Sequence, residues 1–198
     1  MKPPLFFSSG SPDKVRELRE ILLPYRIALH SLQDFADYPV TIEDQDSIFG
    51  NAIKKAIEGA KYTGMLALGD DTGLFIAALD GNPGIFSARW AGEDCSYQDN
   101  REKILAEMQG QTNREAFFET AIALADRNGL IGVVSGRVRG TITETERGDS
   151  GFGYDSIFEV EGLGKTYAQM SDKQKNYLSH RALATQAILP LLKRILEI

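Results

Sequence analysis

Two adjacent carboxylates, Asp70 and Asp71, lie between two apolar runs of the sequence, 65–68 and 74–79. An unpaired carboxylate is costly to bury, so we expect this pair to bind something or to stay hydrated. Carboxylate oxygens are the ligands that Mg²⁺ prefers, and Mg²⁺ in enzymes usually accompanies substrate phosphates. The pair is therefore the first candidate for chemistry. The alternative is an ordinary turn between two short strands, because Asp, Thr and Gly are common turn residues.

Lysines in two other segments are candidates for binding a phosphate. Segment 8–11, Ser-Ser-Gly-Ser, joins a predicted strand to a helix that carries Lys14, and free N–H groups at the start of a helix attract anions. That segment lacks the Walker A spacing, so an ordinary helix cap is the alternative. Lys54 and Lys55 lie on a second predicted helix, where a solvated lysine face is the alternative.

A glycine-rich loop at 150–155 carries two aromatic rings and an acid, Phe152, Tyr154 and Asp155. Aromatic rings stack on nucleobases and contribute about 1–3 kcal/mol per base. The loop therefore predicts a base-binding surface. Its alternative is a loop whose rings cover the core.

Segment 175–181 leads into the last predicted helix, with His180 and Arg181 in the first turn. Cations at a helix N-terminus oppose the helix dipole unless an anion or a carbonyl group is nearby. We therefore expect this pair to face a ligand oxygen, with an ordinary surface helix start as the alternative.

The elements that must position these residues alternate between strands and helices early in the chain and include a hairpin later. Ser11 and Pro12 fit an N-cap and a first helical residue, Asn128 and Gly129 fit a hairpin turn, and Pro190 is expected to disturb the last helix. The predicted strands are 5–8, 65–68, 74–79, 116–125, 130–138 and 157–159, and the predicted helices are 12–23, 49–62, 98–108 and 179–196. This order predicts an α/β protein, with residues 1–198 as a single domain. Its mixed β-sheet is flanked by helices and elongated into two lobes with a central cleft.

Composition excludes several classes of protein. The chain has 198 residues, of which 42% are hydrophobic and 25% charged, as in an ordinary globular protein. The net charge of −6 argues against a general binder of nucleic acid or of membrane surfaces. Cys95 is the single cysteine, which excludes an internal disulfide and suits a reducing, cytoplasmic setting. We expect neither a signal peptide nor a membrane span.

Six segments, in one order over nearly the whole chain, resemble signatures of the inosine triphosphate pyrophosphatase family. Segment 9–18 is similar to the opening Thr-Gly-Asn-x-x-Lys-x-x-Glu of that family, and 51–56 to Asn-Ala-x-x-Lys-Ala. Segment 70–74 is similar to Asp-Asp-Ser-Gly-Leu, and 81–89 to Gly-x-Pro-Gly-x-x-Ser-Ala-Arg. The remaining two are 151–155 and 179–181. Each segment alone is a modest signal, but the ordered set is specific.

The resemblance implies hydrolysis of a nucleoside triphosphate at the α–β bond, which gives a monophosphate and pyrophosphate. It further implies dependence on Mg²⁺, a homodimer, and a preference for ITP, dITP and XTP. By this resemblance Asp71 is the catalytic residue, which holds Mg²⁺ or orients and deprotonates the attacking water. Asp70 would support it through a hydrogen bond. A second acidic metal ligand is expected before Asn51: Glu43 is the choice, with Asp37 or Asp44 as alternatives.

The implied substrate contacts fall into two groups. Lys14, Lys55 and the backbone around Gly10 would clamp the phosphates, whereas the late segments would hold the base. Donors at its edge favour a 6-keto purine, because a site built to bond a substrate group discriminates against analogues that lack it. The implied substrate-binding residues are Ser9, Gly10, Ser11, Lys14, Asn51, Lys55, Thr72, Phe152, Gly153, Tyr154, Asp155, Lys175, His180 and Arg181.

Several positions depart from the family pattern, and they keep two other functions open. The departures are Ser11 for Asn, Gly50, Ala77 and Gln169 where the family has acids, and Ser156 for Pro. The first alternative is a related pyrophosphatase that acts on modified pyrimidine or methylated nucleotides. The second is a nucleotide-binding protein that has lost catalysis.

Overall fold

The computed structural model describes residues 3–198, and their contacts group into two units. The first unit contains the chain up to Asp71 together with 120–136 and 181–198, and the second contains 72–119 and 137–180. No helix among the described residues has both the length and the apolar character needed to cross a bilayer.

The described elements form a mixed sheet with helices, as the sequence predicts. Strand β1 is parallel to both β2 and β3, whereas β4 is antiparallel to β3, and β7 to β6. The strand order is β2-β1-β3-β5-β6-β7, with β4 added at β3. The strands are β1 Pro4–Phe7, β2 Ala28–Ser31, β3 Ala67–Ile76, β4 Pro83–Gly84, β5 Glu115–Asp126, β6 Gly129–Ile142 and β7 Phe158–Val160. The helices are α1 Pro12–Leu22, α2 Ile48–Thr63, α3 Tyr97–Glu107, α4 Asp172–Leu178 and α5 His180–Leu196.

Local sequence explains the ends of the two helices that carry the predicted lysines. The Ser11 hydroxyl caps α1 and accepts from the Lys14 N–H, with Pro12 as the first helical residue. Ser47 caps α2, and Gly64 ends it in the left-handed conformation, with φ at 69°. These caps fix the ends of α1 and α2, and with them the start of each lysine-bearing face.

The first unit has an apolar core of its own, formed by α1, α5 and its strand segments. Gly69 brings β3 directly against α2, because a Cβ at this position would collide with the backbone of Ala52 and Ala56. The helix therefore lies under the strand at the residue before Asp70. The buried core residues are Leu5, Phe7, Val15, Leu18, Leu22, Leu68, Ile122, Leu124, Ala184, Ile188, Leu189 and Leu192.

The second unit also has its own core, which is rich in aromatic rings. The Tyr154 hydroxyl donates to the Ser87 carbonyl oxygen at 2.7 Å, so a buried ring anchors the 150–155 loop within this unit. The buried core residues are Leu74, Ile76, Ile104, Met108, Ala116, Phe118, Ile142, Tyr154, Ile157, Phe158, Val160, Tyr167 and Met170.

Two expectations about the elements are wrong. Strand β3 runs without interruption through Asp70 and Asp71 and ends at Ile76, where the sequence predicts two strands reaching Leu79. Ion pairs to both carboxylates offset much of the cost of burying them in a strand. Helix α5 continues through Pro190, because buried Ile188 and Leu192 hold the helix against the core on both sides.

Candidate functional site

Strand β3 buries both predicted carboxylates, with Asp70 0% and Asp71 6% exposed. Successive side chains of a strand point to opposite faces, so the two residues have different partners. Asp70 meets Lys14 and Arg181, whereas Asp71 meets Lys55 and Asn51. The pair is therefore bound rather than hydrated, and it divides into two connected clusters.

Asp70 is the anionic centre of the first cluster. Lys14 Nζ lies 3.1 Å from its Oδ1, and Arg181 Nε lies 3.0 Å from its Oδ2. Burial alone would raise the pKa of Asp70, but the charges of Lys14 and Arg181 outweigh it and hold that pKa well below its usual range. Asp70 is therefore an anion at neutral pH that orders two cations.

Arg181 has a second carboxylate partner, Glu17 of α1, to which its guanidinium donates. Burial would lower the pKa of Arg181, but Glu17 and Asp70 together raise it. The structure thus places Arg181 on two buried acids of the first unit. The resemblance assigns this residue to the edge of the base, and that role stays a prediction. Sequence analysis included Glu17 in the opening motif but gave it no role, although its spacing from Lys14, one helical turn, was a signal.

Asp71 belongs to the second cluster and is held by side chains from α2. Asn51 Nδ2 donates to its Oδ2 at 3.1 Å, and Lys55 Nζ lies 3.3 Å from its Oδ1. Burial raises the pKa of Asp71, and the charge of Lys55 offsets this only in part. Asn51 and Lys55 are four residues apart, so the helix presents both on one face. A carboxylate with a raised pKa and a fixed orientation is suited to accepting a proton.

Glu43 shares Lys55 with Asp71, its carboxylate lying 2.5 Å from the ammonium. Burial would lower the pKa of Lys55, but the charges of Asp71, Glu43 and Asp70 raise it. The alternative acids lie elsewhere: Asp44 pairs with Lys54 at 2.9 Å, and Asp37 is exposed. Of the three candidate partners for Asp71, Glu43 is the one with which it shares a cation.

The segment that carries Glu43 is tied to α2 by Asn51 and by the absence of a side chain at Gly50. The Asn51 Oδ1 accepts from the Gln45 backbone N–H at 3.1 Å. A Cβ at Gly50 would lie 2.8 Å from the Gln45 Cβ, so a side chain there would displace this segment. The departure at Gly50 therefore has a packing reason.

Residues 3–198 contain no group of three or more His, Cys, Asp or Glu side chains that could hold a metal ion. Asp71 and Glu43 nevertheless supply two carboxylates that converge on one cation, Lys55 Nζ. Mg²⁺ is commonly held by one or two carboxylates together with substrate phosphates and water. The donor set fits Mg²⁺ delivered with a phosphate.

The segment before α1 is more ordinary than the two acidic clusters. The Ser9 hydroxyl accepts from the Ser11 N–H at 3.3 Å, and Ser11 caps the helix. Gly10 is exposed, and a Cβ there would meet only Leu32 at 3.9 Å. Lys14 is the cation that this segment brings to Asp70; its pKa is lowered by burial, which the charge of Asp70 offsets only in part.

The second unit gathers Phe152, Asp155 and Lys175 around one buried ion pair. Lys175 Nζ lies 2.6 Å from Asp155 Oδ2, which also accepts from the Phe152 N–H at 2.8 Å. The ammonium lies 4.4 Å from the centroid of the Phe152 ring. Gly151 has φ at 79°, and a Cβ there would overlap the Asp155 carboxylate. The loop thus depends on this glycine to close over the acid.

His180 lies in a layer of rings in the second unit. It stacks on Phe118 with ring centroids 4.6 Å apart and meets Tyr167 edge-on at 6.0 Å. Sequence analysis missed both partners, because an aromatic residue in a strand or a short turn is usually interpreted as a core residue. The ring layer restricts the orientation of the imidazole.

The other predicted residues of the second unit have structural partners. Tyr154 is buried in the core, and burial raises its pKa. Thr72 follows Asp71 on β3, and the Gly153 carbonyl oxygen accepts from Arg101 at 3.0 Å. The burial of Tyr154 therefore agrees with the core alternative for this loop.

Three further departures from the family pattern have local explanations or lie at the surface. Gln169 completes a capping box with Thr166, a position that accepts Glu or Gln equally. The Ser156 hydroxyl donates to Glu146 at 2.6 Å. Ala77 begins the turn after β3 and is exposed. None of these three positions leaves a vacant place in a described cluster.

A family model described as the Ham1 family matches residues 5–191. The chain belongs to the Ham1 family. Two relatives, both named dITP/XTP pyrophosphatase, support this membership over most of their length. The first, from Desulfotalea psychrophila, is 40% identical over 95% of this chain and 84% of its own. The second, from Prochlorococcus marinus, is 41% identical over 98% of this chain and 95% of its own.

Solved structures of Ham1 proteins share the fold. The Staphylococcus aureus Ham1 protein aligns with a TM-score of 0.86 and 33% identity over 97% of this chain and 99% of its own. A dITP/XTP pyrophosphatase from Mycobacterium abscessus aligns with a TM-score of 0.75 and 36% identity over 96% of this chain and 99% of its own. The predicted α/β class and the predicted family are both confirmed.

Proposed function

We propose that this Ham1 protein hydrolyses non-standard purine nucleoside triphosphates, namely dITP, XTP and ITP, to the monophosphate and pyrophosphate. The observation that carries the proposal is the pair of buried carboxylates on β3, each held by a cation from α1, α2 or α5. The relatives named dITP/XTP pyrophosphatase support the same substrates.

The phosphates would be bound by the two lysines that face the carboxylates. Lys14 and Lys55 supply ammonium groups, which form strong charge-assisted hydrogen bonds with phosphate oxygens. Lys14 retains 19% exposure of its side chain, so it can reach a ligand without unfolding its helix. Asp70 and Arg181 would stay paired beneath it and hold the lysine in place.

Asp71 would act on the attacking water. The water oxygen forms a bond to the α-phosphorus, the bond from that phosphorus to the α–β bridging oxygen breaks, and pyrophosphate leaves. The proton of the water passes to the Asp71 carboxylate, whose raised pKa favours this transfer. Asn51 keeps the carboxylate oriented.

Asp71 and Glu43 would also hold Mg²⁺, and Asp71 is proposed for both tasks. When bound, Mg²⁺ neutralises negative charge on the phosphates and polarises the reacting phosphoryl group. Glu43 approaches this position through the 43–47 segment that Asn51 anchors.

The base would be recognised by the second unit. The Phe152 ring offers a stacking face, and Lys175 and His180 offer hydrogen-bond donors. A 6-keto oxygen accepts from such donors, whereas the 6-amino group of adenine would leave them unpaired. Tyr154 would anchor this loop, and Asp155 would hold Lys175 in place.

A panel of nucleotides tests the proposal. Purified protein is incubated with dITP, XTP, ITP, GTP, ATP and a modified pyrimidine triphosphate, with and without Mg²⁺, and monophosphate and pyrophosphate are quantified. We expect Mg²⁺-dependent turnover of the first three. Better turnover of the pyrimidine would favour the related pyrophosphatase, and tight ITP binding without turnover would favour the binding protein.

The homodimer, the cytoplasmic location and the single domain with its cleft remain proposals. Three strands, β3, β5 and β6, continue from one unit into the other, which supports one cooperative domain. One unfolding transition by calorimetry and a dimeric mass by light scattering are the expected results. Two separated transitions would contradict the single domain.

A further inference from the structure

We infer that the Lys55 ammonium takes the place of a metal ion between Glu43 and Asp71, so that a divalent ion binds tightly only when a nucleotide draws this lysine away. The inference rests on the proposed function, since it concerns how that site is filled. It assigns Lys55 a second role besides phosphate binding. Free protein would thus be held in a metal-poor state by its own side chain.

The geometry of the ammonium carries the inference. Lys55 Nζ lies 2.5 Å from Glu43 Oε1, 3.3 Å from Asp71 Oδ1 and 2.9 Å from the Asp70 carbonyl oxygen. An ammonium has three N–H donors, so these three oxygens account for all of them. Glu43 Oε1 and Asp71 Oδ1, which are carboxylate oxygens of the proposed Mg²⁺ ligands, are thus already bound to a cation.

A second cation cannot share these oxygens at no cost. A divalent ion bonded to Glu43 and Asp71 would lie beside the ammonium, and the two positive charges would repel each other in a partly buried place. The ammonium must therefore leave. A triphosphate supplies oxygens that can accept it, and then the two carboxylates become available.

Without Lys55, the two carboxylates would lose the cation that they share. Asp71 is buried and its second oxygen is fixed by Asn51, so it cannot turn away. Burying such a charge without a partner is unfavourable. Removing the ammonium should therefore increase the affinity of the empty pair for any suitable cation.

Neighbouring lysines provide matched controls. Lys54 is the preceding residue of α2 and pairs with exposed Asp44, and Lys14 binds Asp70. Each of these two lysines has an acid partner other than Glu43. Lys54→Met thus removes the same charge and the same number of atoms without opening the candidate site.

Mn²⁺ binding to nucleotide-free protein, measured by electron paramagnetic resonance of free Mn²⁺, tests the inference. We expect weak binding by the wild type and by Lys54→Met, and binding at least about tenfold tighter by Lys55→Met, the scale on which neighbours of a metal site change its affinity. Adding Asp71→Asn to Lys55→Met should abolish the gain. Equal affinities of wild type and Lys55→Met, or an equal gain in Lys54→Met, would overturn the inference.

The wild type offers a measurement that does not depend on the folding of a variant. Mn²⁺ should broaden the ¹³C carboxyl resonances of Glu43 and Asp71 with a non-hydrolysable α,β-methylene analogue of dITP bound, and leave them sharp without it. Equal broadening without nucleotide would overturn the inference. Loss of dITP turnover in the wild type would instead contradict the proposed function, so the two failures are distinguishable.

Discussion

The two units hold their buried acids in opposite ways. In the first unit, the buried acids form ion pairs with cations from several elements. These pairs are Asp70 with Lys14, Asp71 with Lys55, and Glu17 with Arg181. In the second, one pair of Asp155 and Lys175 lies among the rings of Phe152 and Tyr167. The first arrangement suits a multiply charged phosphate and a metal ion, whereas the second suits a flat, uncharged base.

Because of this difference, removing one residue from each unit should have different effects on the protein. In the first unit, the loss of one member leaves its partners buried and uncompensated, which affects chemistry or stability. In the second, the loss of a ring removes contact area and should affect the affinity for the nucleotide. Variants of single residues can therefore test this contrast.

The largest effect is expected for Asp71→Asn, with kcat lowered at least about 100-fold, the usual scale for a positioned acid–base group. The fold should remain intact because the amide has the same shape as the carboxylate. The amide cannot accept the proton, so turnover should fall. Pyrophosphate release under saturating dITP and far-UV circular dichroism measure the two quantities. Asp44→Asn, which changes an exposed partner of Lys54, is the control and should retain wild-type kcat. An unchanged kcat in Asp71→Asn would remove this residue from the mechanism.

Asp70→Asn should act on stability rather than on proton transfer. It leaves Lys14 and Arg181 without their shared carboxylate, and breaking a buried pair costs about 3–5 kcal/mol of unfolding free energy. Urea unfolding at neutral pH measures this loss. Asp13→Asn removes the exposed pair with Arg16 and should cost less than about 1 kcal/mol. Equal losses in the two variants would contradict the role of Asp70 as a buried anionic centre.

The pH dependence of this loss has a defined sign. Because the pKa of Asp70 in the folded protein lies below its unfolded value of about 3.9, its contribution is fully present above that pH and decreases as the pH falls toward the folded pKa. The gap in unfolding free energy between wild type and Asp70→Asn should therefore narrow in acid. A gap that widens in acid would contradict the lowered pKa.

In the second unit, Phe152→Ala should raise KM for dITP by about 5- to 150-fold, which corresponds to about 1–3 kcal/mol of base stacking. The expected kcat is nearly unchanged, because stacking on the base contributes to binding and not to the proton transfer proposed for Asp71. Phe117→Ala is the control: this ring stacks on Phe75 and is outside the proposed site. A fall in kcat with KM unchanged would show that the two units do not divide the work as proposed.

Sequence reasoning predicted the elements that have local signals. Ser11 with Pro12 marks the start of α1, and the spacing of Asn51 and Lys55 places both on one face of α2. The Asp70-Asp71 pair attracted attention because two carboxylates between apolar runs need partners. For these residues, the chemistry follows from neighbours that are close in sequence or from a motif.

The errors arose where distant segments decide the outcome. Asp70 is buried within β3 beside Lys14 and Arg181, and Arg181 is 111 residues away in the sequence. The aromatic neighbours of His180 come from a strand and a turn with no periodic signal. Sequence analysis chose Glu43 and left Asp37 and Asp44 open, because the path of this loop depends on its packing against Asn51 and Gly50. Such pairings are consequences of tertiary structure and have no local signature.

The smallest effect is expected at the hydrogen bond between Asn51 and Asp71 in the first unit. Burial raises the pKa of Asp71, while the amide of Asn51 stabilises its charged form and lowers that pKa. Asn51→Ala should therefore raise the pKa of Asp71 further, because the charged carboxylate loses a hydrogen-bond donor. The ¹³C carboxyl resonance of Asp71 in metal-free protein reports the titration directly. Asn128→Ala, in the exposed turn before β6, should leave it unchanged. A lower pKa of Asp71 in Asn51→Ala would mean that this amide does not stabilise the carboxylate, and that Lys55 and Glu43 set its charge without it.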